Sequence, residues 1–119
     1  MAHTFSRLLL ATEHGEFDTG AEALAFAMAQ RCALPLAAVM PVVSNPEFEA
    51  VAPQLAAQAD AEASERRMQL EMRARAAGVA MTLRVRHGPE PFVEIDDEAR
   101  EIGADLIVIR RRGKRALLA

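Results

Sequence analysis

The residues best equipped for chemistry lie near the two ends of the chain. Arg110, Arg111 and Arg112 run together, and Gly113, Lys114 and Arg115 follow. A guanidinium offers a planar fork of donors that fits a phosphate or a carboxylate. A glycine lets backbone N–H groups close in on an anion. The block therefore reads either as an anion clamp or as a solvated loop whose charges avoid burial, and charge runs are most often the latter. Near the other end, "TEHG" places Glu13 beside His14. Glu13 is suited to accept hydrogen bonds from a ligand, or to cap a nearby helix, and both readings stay open.

Other candidates carry less. His14 and His87 both fall where strands should end, but neither has a partner at metal-ligand spacing, and His3 lies at the extreme start. No metal site is expected. The acids of "EIDDE", Glu94 to Glu98, lie on a helix pattern, with Asp97 and Glu98 expected to face water. Cys32 is the only cysteine, which excludes an internal disulfide and a cysteine-rich zinc site. It reads as a small buried residue at a helix end. No Ser-His-Asp or Cys-His arrangement stands out, so no catalytic residue is expected.

Composition narrows the classes. A chain of 119 residues suits a single domain, 1–119, with one core. Tryptophan and tyrosine are absent, which disfavours stacking on nucleic-acid bases. The net charge of −3 is unevenly spread: nine of the 14 basic residues and all 17 acids precede residue 110, and five bases follow. Basic charge that local argues for a local anion site or a tail, not for a nucleic-acid-binding face. No stretch approaches the roughly 20 apolar residues of a membrane span. A cytoplasmic location is expected.

The elements that must position these residues follow from pattern. "RLLLAT" reads as a first strand, Arg7 to Thr12, and "EHGEFDTG" as a turn with Gly15 and Gly20 at positive φ. Asp18 or Thr19 should cap a helix whose inner stripe is Ala21, Leu24, Ala25, Met28 and Cys32. "LPLAAVMPVV" is apolar without alternation, as in a strand covered on both faces, with Pro41 at its end. "SNPEFEAVAP" reads as a loop. A long helix from Gln54 to Ala77 then carries Leu55, Ala59, Ala63, Leu70, Ala74 and Ala77 inward, and Gly78 stops it. "VAMTLRVRHG" alternates: Met81, Leu83 and Val85 point one way, Thr82, Arg84 and Arg86 the other, as in a half-exposed strand near a sheet edge. Phe92, Val93, Ile95, Ala99 and Ile102 mark a helix that Gly103 ends, and Asp105 to Ile109 is a buried fourth strand.

Strands alternating with helices predict an α/β fold: a doubly wound parallel sheet in the order 3-2-1-4. Ligands in such sheets lie beyond the carboxyl ends of the strands, where the order reverses. "TEHG", "MPVV" and "RRRG" should line that crevice.

The layout, and above all "GPEPFVEIDDEAREIGADLIVIRRRG", resembles the universal stress protein family over essentially the whole chain. The resemblance implies a Rossmann-like, adenine nucleotide alpha hydrolase-like fold and a non-catalytic nucleotide-binding or regulatory role. In family members that bind ATP, an acid after the first strand and backbone at the end of the second hold the adenosine. A glycine-x-x-glycine loop after the fourth wraps the phosphates. Carried over, the cofactor-binding set is Glu13, Met40, Val42, Gly88, Arg110, Arg112 and Gly113, with ATP or another adenine nucleotide, or another anion, as ligand. Arg110 stands where the first loop glycine belongs, so it should occupy phosphate space and weaken ATP binding. A weak ATP hydrolase or nucleotidyl-transfer enzyme, and a protein-interaction domain that has lost its ligand, are the alternatives. The family's fifth strand, which commonly builds a homodimer beside strand four, has no counterpart before Ala119. The expectation is a longer natural chain, or a second subunit over strand four.

Overall fold

The computed structural model describes residues 5–110. The order of elements is β1 (Leu8–Ala11), a short helical turn (Glu16–Asp18), α1 (Thr19–Cys32), β2 (Leu36–Val43), α2 (Pro46–Val51), α3 (Pro53–Ala76), β3 (Met81–Gly88), α4 (Pro91–Ile102) and β4 (Leu106–Ile109). The four strands form one parallel sheet in the order β3-β2-β1-β4. Fold class and strand order are those expected from the alternation of elements.

The period-2 side-chain alternation divides β1 between two cores. Leu8 and Leu10 face α1 and α3, joining Phe26, Ala29, Leu36, Met40, Leu70 and Leu83. Leu9 and Ala11 face α4, joining Val39, Ile95 and Ala99. Proline opens α2, α3 and α4 at the first helical position, where its missing N–H costs nothing.

Several expectations need correction. The stretch 46–51 is a helix, not a loop: the Asn45 side chain caps it by accepting from the Glu47 amide. The helix α3, 24 residues long, spans about 36 Å, whereas the eight residues of β3 span about 26 Å. Its first turns therefore overhang the sheet, and Leu55, expected inside, is exposed. The buried stripe of α1 is Glu22, Ala25, Phe26 and Ala29, and Leu24 faces water. Positive φ falls on His14, Ala33, Gly78 and Gly103, not on Gly15 or Gly20. Pro41 is inside β2, not at its end. β4, outermost among the described strands as the order 3-2-1-4 implies, is not the buried strand expected: only Val108 in it is buried. Glu98, expected in water, is 3 % exposed.

Glu98 is buried because β3 presents two arginines to α4. The Arg86 guanidinium donates to Glu98 at 2.9 Å, to Glu94 at 3.2 Å and to Glu101, and Arg84 reaches Glu98 at 3.6 Å. The alternation read from the sequence placed these arginines on the correct face, but there they meet carboxylates as well as water. Arg86 is held further above its already high range by the hydrogen bonds it donates to Glu101, then to Glu98 and Glu94. The bond from Arg86 correspondingly lowers the Glu101 carboxyl.

Candidate functional site

The strands differ in length at their carboxyl ends, and the difference makes a crevice. Pairing of β1 stops at Ala11, opposite Val39 on one side and Ile109 on the other. Pairing of β2 with β3 continues four residues further, to Val43 and Gly88. In a parallel strand, successive residues turn their N–H and C=O to opposite neighbours. The carbonyl of Val39 accepts from the Thr12 amide of the β1 side, while the Ser44 amide reaches Gly88 on the β3 side. Pro41 therefore faces the side on which β1 has already ended. Its missing N–H leaves no ladder donor unpaired there.

The crevice has a volume of about 120 Å3. Ala11, Thr12 and Glu13 come from the end of β1, Pro41 from β2, Phe92 and Ile95 from the first turns of α4, and Ile109 and Arg110 from the end of β4. Across it the Arg110 Nη2 approaches the Glu13 carboxylate at 3.5 Å, both side chains being about two-fifths exposed (42 % and 43 %). The crevice thus pairs an anionic hydrogen-bond acceptor, Glu13, with a cationic donor, Arg110, at the point where strand order reverses.

Of the residues carried over from the resemblance, Glu13 and Arg110 come together here. Met40 is in the core under α1, and its neighbour Pro41, not Met40 or Val42, lines the crevice. Gly88 ends β3 on the far side of β2. A Cβ there would meet the end of the flexible Glu94 side chain, which would have to shift. Arg111, Arg112 and Gly113 lie outside the described residues.

Behind the crevice lies a set of polar residues that the sequence reading did not single out. Glu22, on α1, is 1 % exposed. Its Oε2 accepts from the Thr12 hydroxyl at 2.7 Å and from His14 Nδ1 at 2.8 Å, and its Oε1 accepts from Arg73 of α3 at 3.0 Å. A carboxylate only accepts, so in this pair Nδ1 is the donor. The Thr12 hydroxyl in turn accepts from the His14 amide at 2.9 Å. Asp18, also buried, accepts from the Gly15 amide at 2.9 Å and so closes the turn that leads into α1. A signal was present: Glu22, Ala25, Phe26 and Ala29 are spaced i, i+3, i+4, i+7, and an acid on such a stripe needs buried partners. Of the other histidines, His87 pairs with Asp60 at 3.0 Å on an exposed surface. Among the described residues no cluster of three metal-ligating side chains occurs, and no helix is long and apolar enough to cross a membrane.

The chain matches none of the curated protein sequences at a significant level. Solved structures do resemble it. A protein of the universal stress protein family from Burkholderia pseudomallei is 26 % identical, with a TM-score of 0.72 over 93 % of this chain and 85 % of that one. The universal stress protein UspA of Lactobacillus plantarum is 22 % identical, with a TM-score of 0.73 over 91 % and 78 %. A universal stress protein solved in complex with cAMP is 20 % identical, with a TM-score of 0.68 over 88 % and 75 %. The sequence model of the universal stress protein family matches residues 4–119. The chain belongs to the universal stress protein family.

Proposed function

We propose that residues 1–119 form one non-catalytic, cytoplasmic regulatory domain that binds an adenine nucleotide in the crevice between β1, β2 and β4. The observation that carries this reading is the meeting of Glu13 and Arg110 at the switch point of the sheet. Glu13 offers a carboxylate to ribose hydroxyls and Pro41 and Ile95 an apolar wall to the base, while Arg110 stands in the space that phosphates would take and tempers the affinity for ATP. The first turn of α4 adds the partial positive charge of a helix start beside the same space. A structural relative carries cAMP, a nucleotide of this class. Thr12, the hydroxyl residue of the crevice, is committed to Glu22 and the His14 amide, which supports binding without catalysis.

At about 120 Å3 the crevice is smaller than the roughly 300 Å3 of an ordinary ligand pocket. Entry of a nucleotide therefore separates Arg110 from Glu13 and moves the exposed Phe92 at the rim. Ile107 and Ile109 are two-fifths exposed on β4, and a second copy of the chain covering that strand completes the proposal as a homodimer.

Mass spectrometry of the denatured protein, together with calorimetric titration by ATP, AMP and cAMP, tests the nucleotide. Binding of at least one, lost on mutating Ile95→Arg in the crevice wall, is expected. Absence of all three favours the protein-interaction reading, for which the exposed Phe48 and Val51 of α2 are the supporting feature. Sedimentation tests the dimer.

A further inference from the structure

The loop that carries Glu13 is gripped on both sides of that residue. The last sheet hydrogen bond of the loop is from the Thr12 amide to Val39. Immediately afterwards the Thr12 hydroxyl and the His14 ring both reach Glu22 Oε2, and the His14 amide returns to the Thr12 hydroxyl. His14 holds a φ of 56°, a left-handed conformation that a non-glycine residue keeps only where its surroundings impose it. Glu13, between the two anchored residues, turns its side chain the other way, into the crevice and toward Arg110.

We propose that Glu22 is a positioning residue of the crevice: its buried carboxylate holds Thr12 and His14 and thereby fixes the place and direction of the Glu13 carboxylate. Arg73 holds the far oxygen of Glu22 and lies 6.0 Å from the centre of the Phe26 ring, so the anchor is itself tied to α3. For binding, this role rests on the reading of the crevice as a nucleotide site; for the loop, it does not. The two are separable by experiment.

The ligand-free chain is compared with its Glu22→Gln variant by amide hydrogen exchange. Glutamine keeps the shape but weakens the acceptor toward three donors at once. Exchange of the His14 amide should accelerate about tenfold while Leu9 and Leu10 stay unchanged. Should Glu22→Gln fail to fold, Glu22→Asp gives the same answer, because its shorter side chain keeps the charge but withdraws the carboxylate from Thr12 and His14. An unchanged His14 amide in the folded variants overturns the proposal.

The second arm is a double-mutant cycle read as the dissociation constant of the nucleotide that binds. Glu22→Gln alone should weaken binding about tenfold, and should add nothing in a Glu13→Gln background. Additive losses overturn positioning through Glu13. If the wild-type chain binds no nucleotide, the functional reading fails, and the exchange arm still decides whether Glu22 holds the loop.

Discussion

Two glutamates are buried on opposite faces of the sheet, and their partners differ in kind. Glu98, under α4, meets Arg84 and Arg86, both from the regular strand β3. Arg86 also has Glu94 and Glu101, so its charge is shared among several carboxylates. Glu22, under the β1–α1 loop, meets a hydroxyl, an imidazole and one arginine. Among the described residues, Thr12 and His14 have no second acceptor for the groups they give to Glu22. The Glu98 network joins a helix to a strand, while the Glu22 network holds an irregular loop at the mouth of a crevice. The lesson is that burial of a carboxylate does not itself mark a site; what matters is whether its partners are spare or sole.

Truncation should expose that difference most. Glu22→Ala leaves the buried Thr12 hydroxyl without an acceptor and the part-buried His14 Nδ1 without its partner, and each such loss costs about 1–3 kcal/mol. Arg73, 44 % exposed, regains water. We expect a loss of about 3–4 kcal/mol in urea denaturation. Glu98→Ala leaves its arginines with other carboxylates and should lose only about 2 kcal/mol, with nucleotide affinity unchanged. Equal losses would remove the distinction between sole and spare partners.

The next effect concerns the crevice. In the Glu13–Arg110 pair, each side chain is well exposed, so the pair itself is worth no more than about 1 kcal/mol. Arg110→Gly releases Glu13 and clears the space in which phosphates would lie. ATP affinity by calorimetry should rise about fivefold, the equivalent of that energy. A fall in affinity would instead make Arg110 a phosphate clamp.

Why some of this was legible in the sequence, and some not, follows from the range of the interactions. The order 3-2-1-4 was readable because β1 and β2 are apolar on both faces, whereas β3 alternates, and a two-sided strand belongs inside a parallel sheet. The crevice followed from strand order alone. The arginine partners of Glu98 and Glu22 were not readable, because Arg86 and Arg73 arrive from 12 and 51 residues away. The helix at Pro46 was missed although Asn45–Pro46 is a cap followed by a favoured first helical residue; two prolines seven apart looked like loop chemistry. Leu55 misled because helical periodicity reports a face and not the length of the sheet beneath it.

Two non-glycine residues at positive φ sharpen the contrast between site and scaffold. Ala33 ends α1 at a φ of 54°, with its amide on the Gln30 carbonyl. It has no side-chain partner to lose, so Ala33→Gly should stabilise by about 0.5–1 kcal/mol. His14→Gly relieves the same strain but removes the ring from Glu22, and it should give no gain. Thermal denaturation of the two variants side by side checks this. A gain from both would show that the His14 ring contributes nothing to the loop.

The smallest effect is expected from an acid at the opposite end of the sheet. Asp105 precedes β4 and accepts from the Arg7 amide at 2.9 Å, the Ser6 amide at 2.8 Å and the Ser6 hydroxyl at 3.2 Å, tying the starts of β4 and β1 together. Those backbone donors, Arg7 first and then Ser6, hold its carboxyl below the ordinary aspartate value. A depressed folded-state pKa stabilises the native chain at every pH above the unfolded value of about 4, and the contribution disappears as pH falls through the folded value. The stability difference between wild type and Asp105→Asn should therefore be level from neutral pH down to about pH 4 and shrink below it. Because the group is open to solvent, the difference should be small throughout. Nucleotide affinity at neutral pH should not respond, since Asp105 is at the amino end of β4 and the crevice at its carboxyl end. A difference that grows below pH 4 would contradict the depressed value, and a change in nucleotide affinity would break the separation of the two ends of the sheet.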